Sequence, residues 1–157
     1  MTLTIENGTG VTGADSFETA VEFAAFELLY FGDNMTGTTP IKEAALRRTF
    51  YYMSALVWRA GLWPTFGGAI PDAVKQAQTL FARAELASTG VLSPDITLAG
   101  QKVLTKVDTI GWSVTAPTAT VETSRPVITA AFDLLRPYLD YDPARDKSVG
   151  ITGAMVV

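Results

Sequence analysis

The chain has 157 residues, with sixteen Asp and Glu against twelve Lys and Arg for a net charge of −4, and it contains neither histidine nor cysteine. That length suits one domain able to bury a core without disulfides or metal. The missing residue types exclude a Ser-His-Asp triad, a zinc site and a redox thiol pair, leaving carboxylate or lysine chemistry, or none.

Charge is placed unevenly. Glu6, Asp15, Glu18, Glu22, Glu27 and Asp33 all precede the first base, Lys42, so residues 1–41 hold six acids and no cation. Such a start does not read as a secretory signal. The apolar stretch from Val21 to Phe31 is broken by Glu22 and Glu27, so it does not read as a membrane span. Together with the absence of cysteine this points to a cytoplasmic protein with no membrane partner. The only adjacent basic pair is Arg47-Arg48. No block of Lys and Arg offers phosphate a concentrated positive surface.

In chain order, residues 2–5 alternate like a short strand, and the glycine-rich run from Asn7 to Gly13 follows as a loop. The run lacks the Gly-Lys-Ser/Thr ending of a phosphate loop and reads as a turn. Thr19 and Glu22 form a capping box that starts a helix over about 20–31. Its apolar residues cover two faces: Phe17, Val21, Ala24, Leu28 and Phe31 on one, and Phe23, Phe26 and Tyr30 on the other. Two readings stay open for the surplus face: a central helix of a bundle, or a contact with a neighbouring subunit.

The second helix starts at Thr39-Pro40 and is expected to run to about Ala60, stopping at Gly61. Leu46, Thr49, Phe50, Met53, Val57 and Ala60 form its core stripe, widened by Tyr51, Tyr52, Ala55 and Trp58. An aromatic cluster can stack nucleic-acid bases, but this one lacks interleaved cations and reads as core. After a loop punctuated by Pro64, Gly67 and Gly68, Ile70-Pro71 opens a third helix ending near Ser88. Val74, Ala77, Phe81 and Ala84 are its expected buried face. Residues Lys102 to Val114 then alternate as a β-hairpin. A fourth helix is expected from Pro126, with Val127, Ala130, Ala131, Leu134 and Tyr138 inward.

The fold expected is therefore mainly α: a four-helix core in residues 1–139, a hairpin between helices three and four, a short N-terminal strand, and an extended tail over 140–157. The tail begins charged, then turns apolar and glycine-broken from Ser148 to Val157. An apolar tail outside any amphipathic helix needs a groove, and strand addition to a partner suits it. Asp140 and Asp142 are the densest acidic group, without the spacing of a calcium loop. No motif carries a reaction, so a non-enzyme without metal or cofactor is expected.

The order of these features resembles that of the head–tail connector, or adaptor, proteins of tailed bacteriophages, a group also filed as DnaT-like single-stranded-DNA-binding proteins. The resemblance is carried by Leu3-Thr-Ile-Glu-Asn-Gly-Thr-Gly-Val11, Ala14-Asp-Ser-Phe17, Lys42-Glu-Ala-Ala-Leu46, Leu62-Trp-Pro64 and Ile70-Pro-Asp-Ala-Val-Lys-Gln-Ala77. The stretches Lys102 to Val114 and Pro126 to Leu139 complete it. The chain departs from that pattern at Thr65, where an Arg is common, and at Phe17, where a Tyr is. The resemblance implies a virion neck protein assembled in the host cytoplasm as a ring, typically of twelve copies. That ring would sit below the portal, bind a stopper or tail-completion protein, and pass double-stranded DNA without specific contacts. It further implies portal docking by the tail through Lys147, Val149, Ile151, Met155, Val156 and Val157, with Phe23, Phe26 and Tyr30 between subunits. The alternative, single-stranded-DNA binding, asks for a basic groove with exposed aromatics.

Overall fold

The capping box at Thr19 forms as expected: Thr19 Oγ1 accepts the Glu22 N–H at 3.1 Å, and Glu22 Oε2 accepts the Thr19 N–H at 2.7 Å. Two orphan donors are thereby satisfied, and α1 runs over Ala20–Phe31. Gly32 ends it in the left-handed region at φ 69°, where a side chain would be strained. These elements come from a computed structural model that describes residues 2–35, 37–93 and 127–140. The expected hairpin over Lys102 to Val114 and the tail beyond Asp140 lie outside the described residues.

Helix α2 spans Thr39–Ser54, with Pro40 in its first turn. It is capped by Thr38 rather than Thr39, and it stops six residues short of the expected Ala60. No proline or glycine ends it. The Trp58 indole N–H folds back onto the Met53 carbonyl at 2.7 Å, and the chain turns there. Trp58 then pairs antiparallel with Leu139, with Arg59 N–H to Tyr138 O at 3.0 Å and Asp140 N–H to Val57 O at 2.9 Å. That tertiary pairing overrides the helical pattern, and it leaves Val57 exposed rather than in the core stripe.

Helix α3, Asp72–Ala87, packs against both α2 and the last helix, α4 (Thr129–Leu135), and buries Val74, Ala77, Phe81 and Ala82. Its Gln78 is fully buried and fully bonded. Oε1 accepts the Phe17 N–H at 2.9 Å, while Nε2 donates to Ser16 Oγ at 3.2 Å and Leu46 O at 3.1 Å. One amide thus ties the N-terminal segment to two helices, and no donor is left dry.

Helix α4 is shorter than expected, Thr129–Leu135, followed by a 3₁₀ turn over Arg136–Tyr138 that takes up Pro137. Its buried residues are Ala131, Phe132 and Leu135; Val127 and Ala130, expected inward, are exposed. Among the described residues no strand forms at the N-terminus. A single parallel bridge joins Ile5 to Ser16 instead, with Glu6 N–H to Ser16 O and Asp15 N–H to Thr4 O both at 2.8 Å.

The main core centres on aromatic edges. Phe17 meets Phe50, Trp63 and Phe66 with ring centroids 4.9, 5.2 and 5.7 Å apart, and Phe81 meets Tyr52 and Phe132 at 5.1 and 5.4 Å. Each fully buried ring contributes about 2–3 kcal/mol of apolar burial. A second, smaller cluster joins Phe23 to Ala45, Leu46 and Ala82 and seats α1 on α2 and α3.

Candidate protein-contact surface

The two faces of α1 divide differently from the sequence expectation. Ala20, Phe23 and Glu27 form the buried face. Phe23, expected between subunits, is fully buried inside its own chain. The opposite face carries Val21, Ala25, Leu28 and Leu29, all exposed, with Val21 and Leu29 each at 77 %. Their spacing of i, i+4, i+7 and i+8 makes one continuous apolar stripe on the outside of the helix. Tyr30 is also exposed, and Phe26 stacks on it at 4.2 Å. These two line a shallow groove of about 530 Å³ together with Phe31, Leu80 and Leu134, between α1, α3 and α4.

The reversal has a specific cause. Glu27 sits one turn after Phe23 and is fully buried, which no apolar pattern anticipates. Its carboxylate accepts the Met35 N–H at 3.2 Å and meets Arg83 Nη1 at 3.1 Å. Burial pushes the Glu27 carboxyl up, against the lowering by the Met35 N–H and by Arg83. The acid belongs to the inner face, and the leucines are turned out.

The other acids of residues 1–41 are equally committed. Glu6 is buried and receives N–H donors from Gly8, Gly10 and Val11 at 2.8, 2.9 and 2.8 Å. The glycine-rich loop is therefore a turn, as its sequence indicates, and the anion it wraps is the chain's own carboxylate. Gly8 also lies against the loop after α2: a Cβ there would sit 2.5 Å from the Gly68 carbonyl carbon. Glu18 is buried with Thr79 as its side-chain partner. Asp15 pairs with Arg47 at 2.6 Å, Asp33 with Arg83 at 3.0 Å, and Glu22 lies 3.9 Å from Lys75. The acidic N-terminal third is thus not a free negative surface.

Cations are taken up in the same way. Arg48 bonds the buried Glu85 at 2.7 Å, and Lys42 is buried and bonded to Asn34. Among the described residues Arg59 is exposed with no carboxylate partner. The aromatic cluster of Phe17, Phe50, Trp58, Trp63 and Phe66 is packed into the core, and Tyr51 is the exposed ring of α2. No described surface combines free cations with open rings in the way a nucleic-acid platform does. Among the described residues no three acidic side chains cluster to hold a metal ion, and no helix is long and apolar enough to cross a membrane. Asp142 and the tail residues Lys147, Val149, Ile151, Met155, Val156 and Val157 lie outside the described residues.

The chain matches no curated protein and no solved structure. Its sequence does match a family, and nearly end to end. Over residues 1–155 the chain belongs to the family described as "Putative DnaT-like ssDNA binding protein".

Proposed function

We propose that the chain is a non-enzymatic assembly subunit whose working surface is the outer face of α1. The observation that carries this is the stripe of Val21, Ala25, Leu28 and Leu29 held in water on a helix whose other face is already seated in a core. Scattered exposed apolar residues are ordinary, but a contiguous stripe on one helix marks a contact site. The partner for such a surface is protein, because phosphate offers nothing to leucine, and Arg83, the cation beside the end of α1, is bonded to Glu27 and Asp33. The specific form of the proposal is the head–tail connector implied by the sequence resemblance: a ring below a portal, with the tail from Lys147 to Val157 reaching the portal.

The test is electron microscopy of the purified chain mixed with portal protein. A ring at the portal base is the expected result, lost when the outer stripe is made polar. Truncation after Asp146 is expected to abolish portal binding, and unchanged binding would remove the tail from the proposal. Free, unattached chains at every concentration would overturn the connector reading.

A second reading, single-stranded-DNA binding, is favoured by the family description. It predicts that the chain retains single-stranded DNA at physiological salt, with affinity falling steeply as salt rises. Among the described residues Arg59 is exposed without a carboxylate partner, so the described surface by itself is expected to release DNA under those conditions. Retention would favour this reading over the connector.

A further inference from the structure

We infer that α1 is a separable element of the fold: it lifts from α3 as one unit while α2, α3 and α4 stay packed, and Glu18 is the latch that holds it down. The lift goes beyond the assembly reading and does not depend on it. Helices α2, α3 and α4 share one core, built on Tyr52, Met53, Phe81, Phe132 and Leu135. Of the twelve residues of α1 only Ala20, Phe23 and Glu27 are buried, and Phe23 sits in the separate small cluster with Ala45, Leu46 and Ala82. An element with so little apolar area against the body opens at lower cost than the core it borders.

Polar contacts with α3 supply the rest of the seating. Glu18 accepts the Thr79 hydroxyl at 2.7 Å, and Arg83 reaches both Glu27 at 3.1 Å and Asp33 at 3.0 Å. The Arg83 guanidinium also lies over the Phe31 ring, 4.1 Å from its centroid. Asp33 is exposed, as is Glu22 opposite Lys75, and exposed pairs hold weakly. The ends of α1 suit the motion. Phe17 is fixed in the main core with its N–H on Gln78, so the chain passes from core to helix at Glu18. Beyond the helix, Gly32, Asp33 and Asn34 are exposed. Lifting returns Glu18 to water. The charges that face it are Glu22 and Glu27 of α1, which favour its proton, and Lys75 of α3, which opposes it. Arg83 of α3 and Lys42 of α2 face Glu27. Rising pH therefore favours the lifted helix, in which Glu18 ionises freely.

Amide hydrogen exchange of the full chain, corrected for the intrinsic rate at each pH, tests the lift. At pH 6 the α1 amides are expected to open at least about tenfold more often than those of α3. From pH 6 to pH 8 the opening of α1 is expected to rise about fiftyfold, the ratio set by a carboxyl near 4.5 in water and about 8 when docked. Glu18→Gln keeps the outline of the side chain and an oxygen for Thr79, and it is expected to cut that rise at least about tenfold. Equal protection of α1 and α3 in the parent chain would overturn the lift, because α1 would then open only with the whole domain. A rise undiminished in Glu18→Gln would overturn Glu18 as the latch. Neither result depends on whether the chain binds portal.

Discussion

Glu6 and Glu18 are both buried, at 1 % and 3 % exposure, yet they carry charge in opposite ways. Burial raises the Glu6 carboxyl, but the N–H groups of Gly10, Gly8 and Val11 outweigh it and hold it below the usual carboxylate range. Burial also raises Glu18, and there the Thr79 hydroxyl at 2.7 Å is too little to offset it, so the carboxyl is pushed up to about 8. The flanking charges add little, with Glu22 and Glu27 raising it and Lys75 lowering it. Loss of water alone does not decide whether a buried acid is ionised; the number of donors aimed at it does. A glycine-rich turn can aim several at once, whereas the start of α1 against α3 offers one.

The two acids act on opposite limbs of the pH–stability curve, Glu27 adding to the side of Glu18 and Glu22 to that of Glu6. Glu18 binds its proton more tightly folded than unfolded, so its contribution is full below the unfolded value near 4.5 and is lost as pH rises towards about 8. The slope across that window is about −1.4 kcal/mol per pH unit, on the order of 4 kcal/mol in all. Glu6 has the opposite sign: its contribution is present above the unfolded value and is lost as pH falls below it. The largest expected effect is therefore from Glu18→Gln. Urea unfolding at pH 9 should show the variant more stable than the parent by roughly 4 kcal/mol, with the two converging near pH 4. Parallel curves across that range would mean that Glu18 ionises in water, outside the core.

The same substitution at Glu6 sharpens the contrast, because its sign should reverse. Glu6→Gln keeps the shape, but whichever way the amide is turned it sets an NH₂ against backbone N–H donors that now meet a carboxylate on both oxygens. One or two donors are left facing donors, at a cost of about 2 kcal/mol at neutral pH. Unfolding at pH 7 measures the loss, and the acid limb of the parent's curve should become shallower in the variant. A stabilising outcome would show that the turn does not need an anion.

These acids also explain what the sequence makes legible and what it hides. Helix starts are written locally: Thr19 and Glu22 build their capping box, Pro40 lies in the first turn of α2, and Pro71-Asp72 opens α3. Of the expected inward face of α3, Val74, Ala77 and Phe81 are buried as their spacing indicates, while Ala84 is half-buried and the polar Gln78, Thr79 and Glu85 are buried where spacing gives no sign of it. The end of α2 is not local. It depends on Trp58 turning back onto Met53 and pairing with Leu139, a residue far along the chain. The inner face of α1 is hidden for a related reason. Both of its sides are apolar, and the tie is broken by Glu27 meeting Arg83 from α3, a partner that periodicity cannot see. Residues 1–41 look acidic in sequence because a count of charges takes no account of burial. In the fold Glu6, Glu18 and Glu27 are inside.

The smallest effect expected is the most direct probe of why Glu18 differs from Glu6. Thr79→Val removes the hydroxyl that Glu18 Oε1 accepts and keeps the outline of the side chain. The hydroxyl also lies 3.3 Å from the Lys75 carbonyl, but the Glu18 bond is the shorter; its loss costs about 1 kcal/mol, and this should be nearly the whole effect near pH 4, where the carboxyl is mostly protonated in both states. At higher pH a second consequence follows. The hydroxyl favours the ionised form, so without it the Glu18 carboxyl moves further up and the alkaline limb continues past about pH 8 before levelling. Thermal unfolding from pH 4 to pH 10 separates the two: a constant offset is the lost bond, and a later plateau is the displaced titration. An offset with no change in the plateau would mean that burial alone holds the proton on Glu18. The count of donors would then explain Glu6 and not the difference between the two.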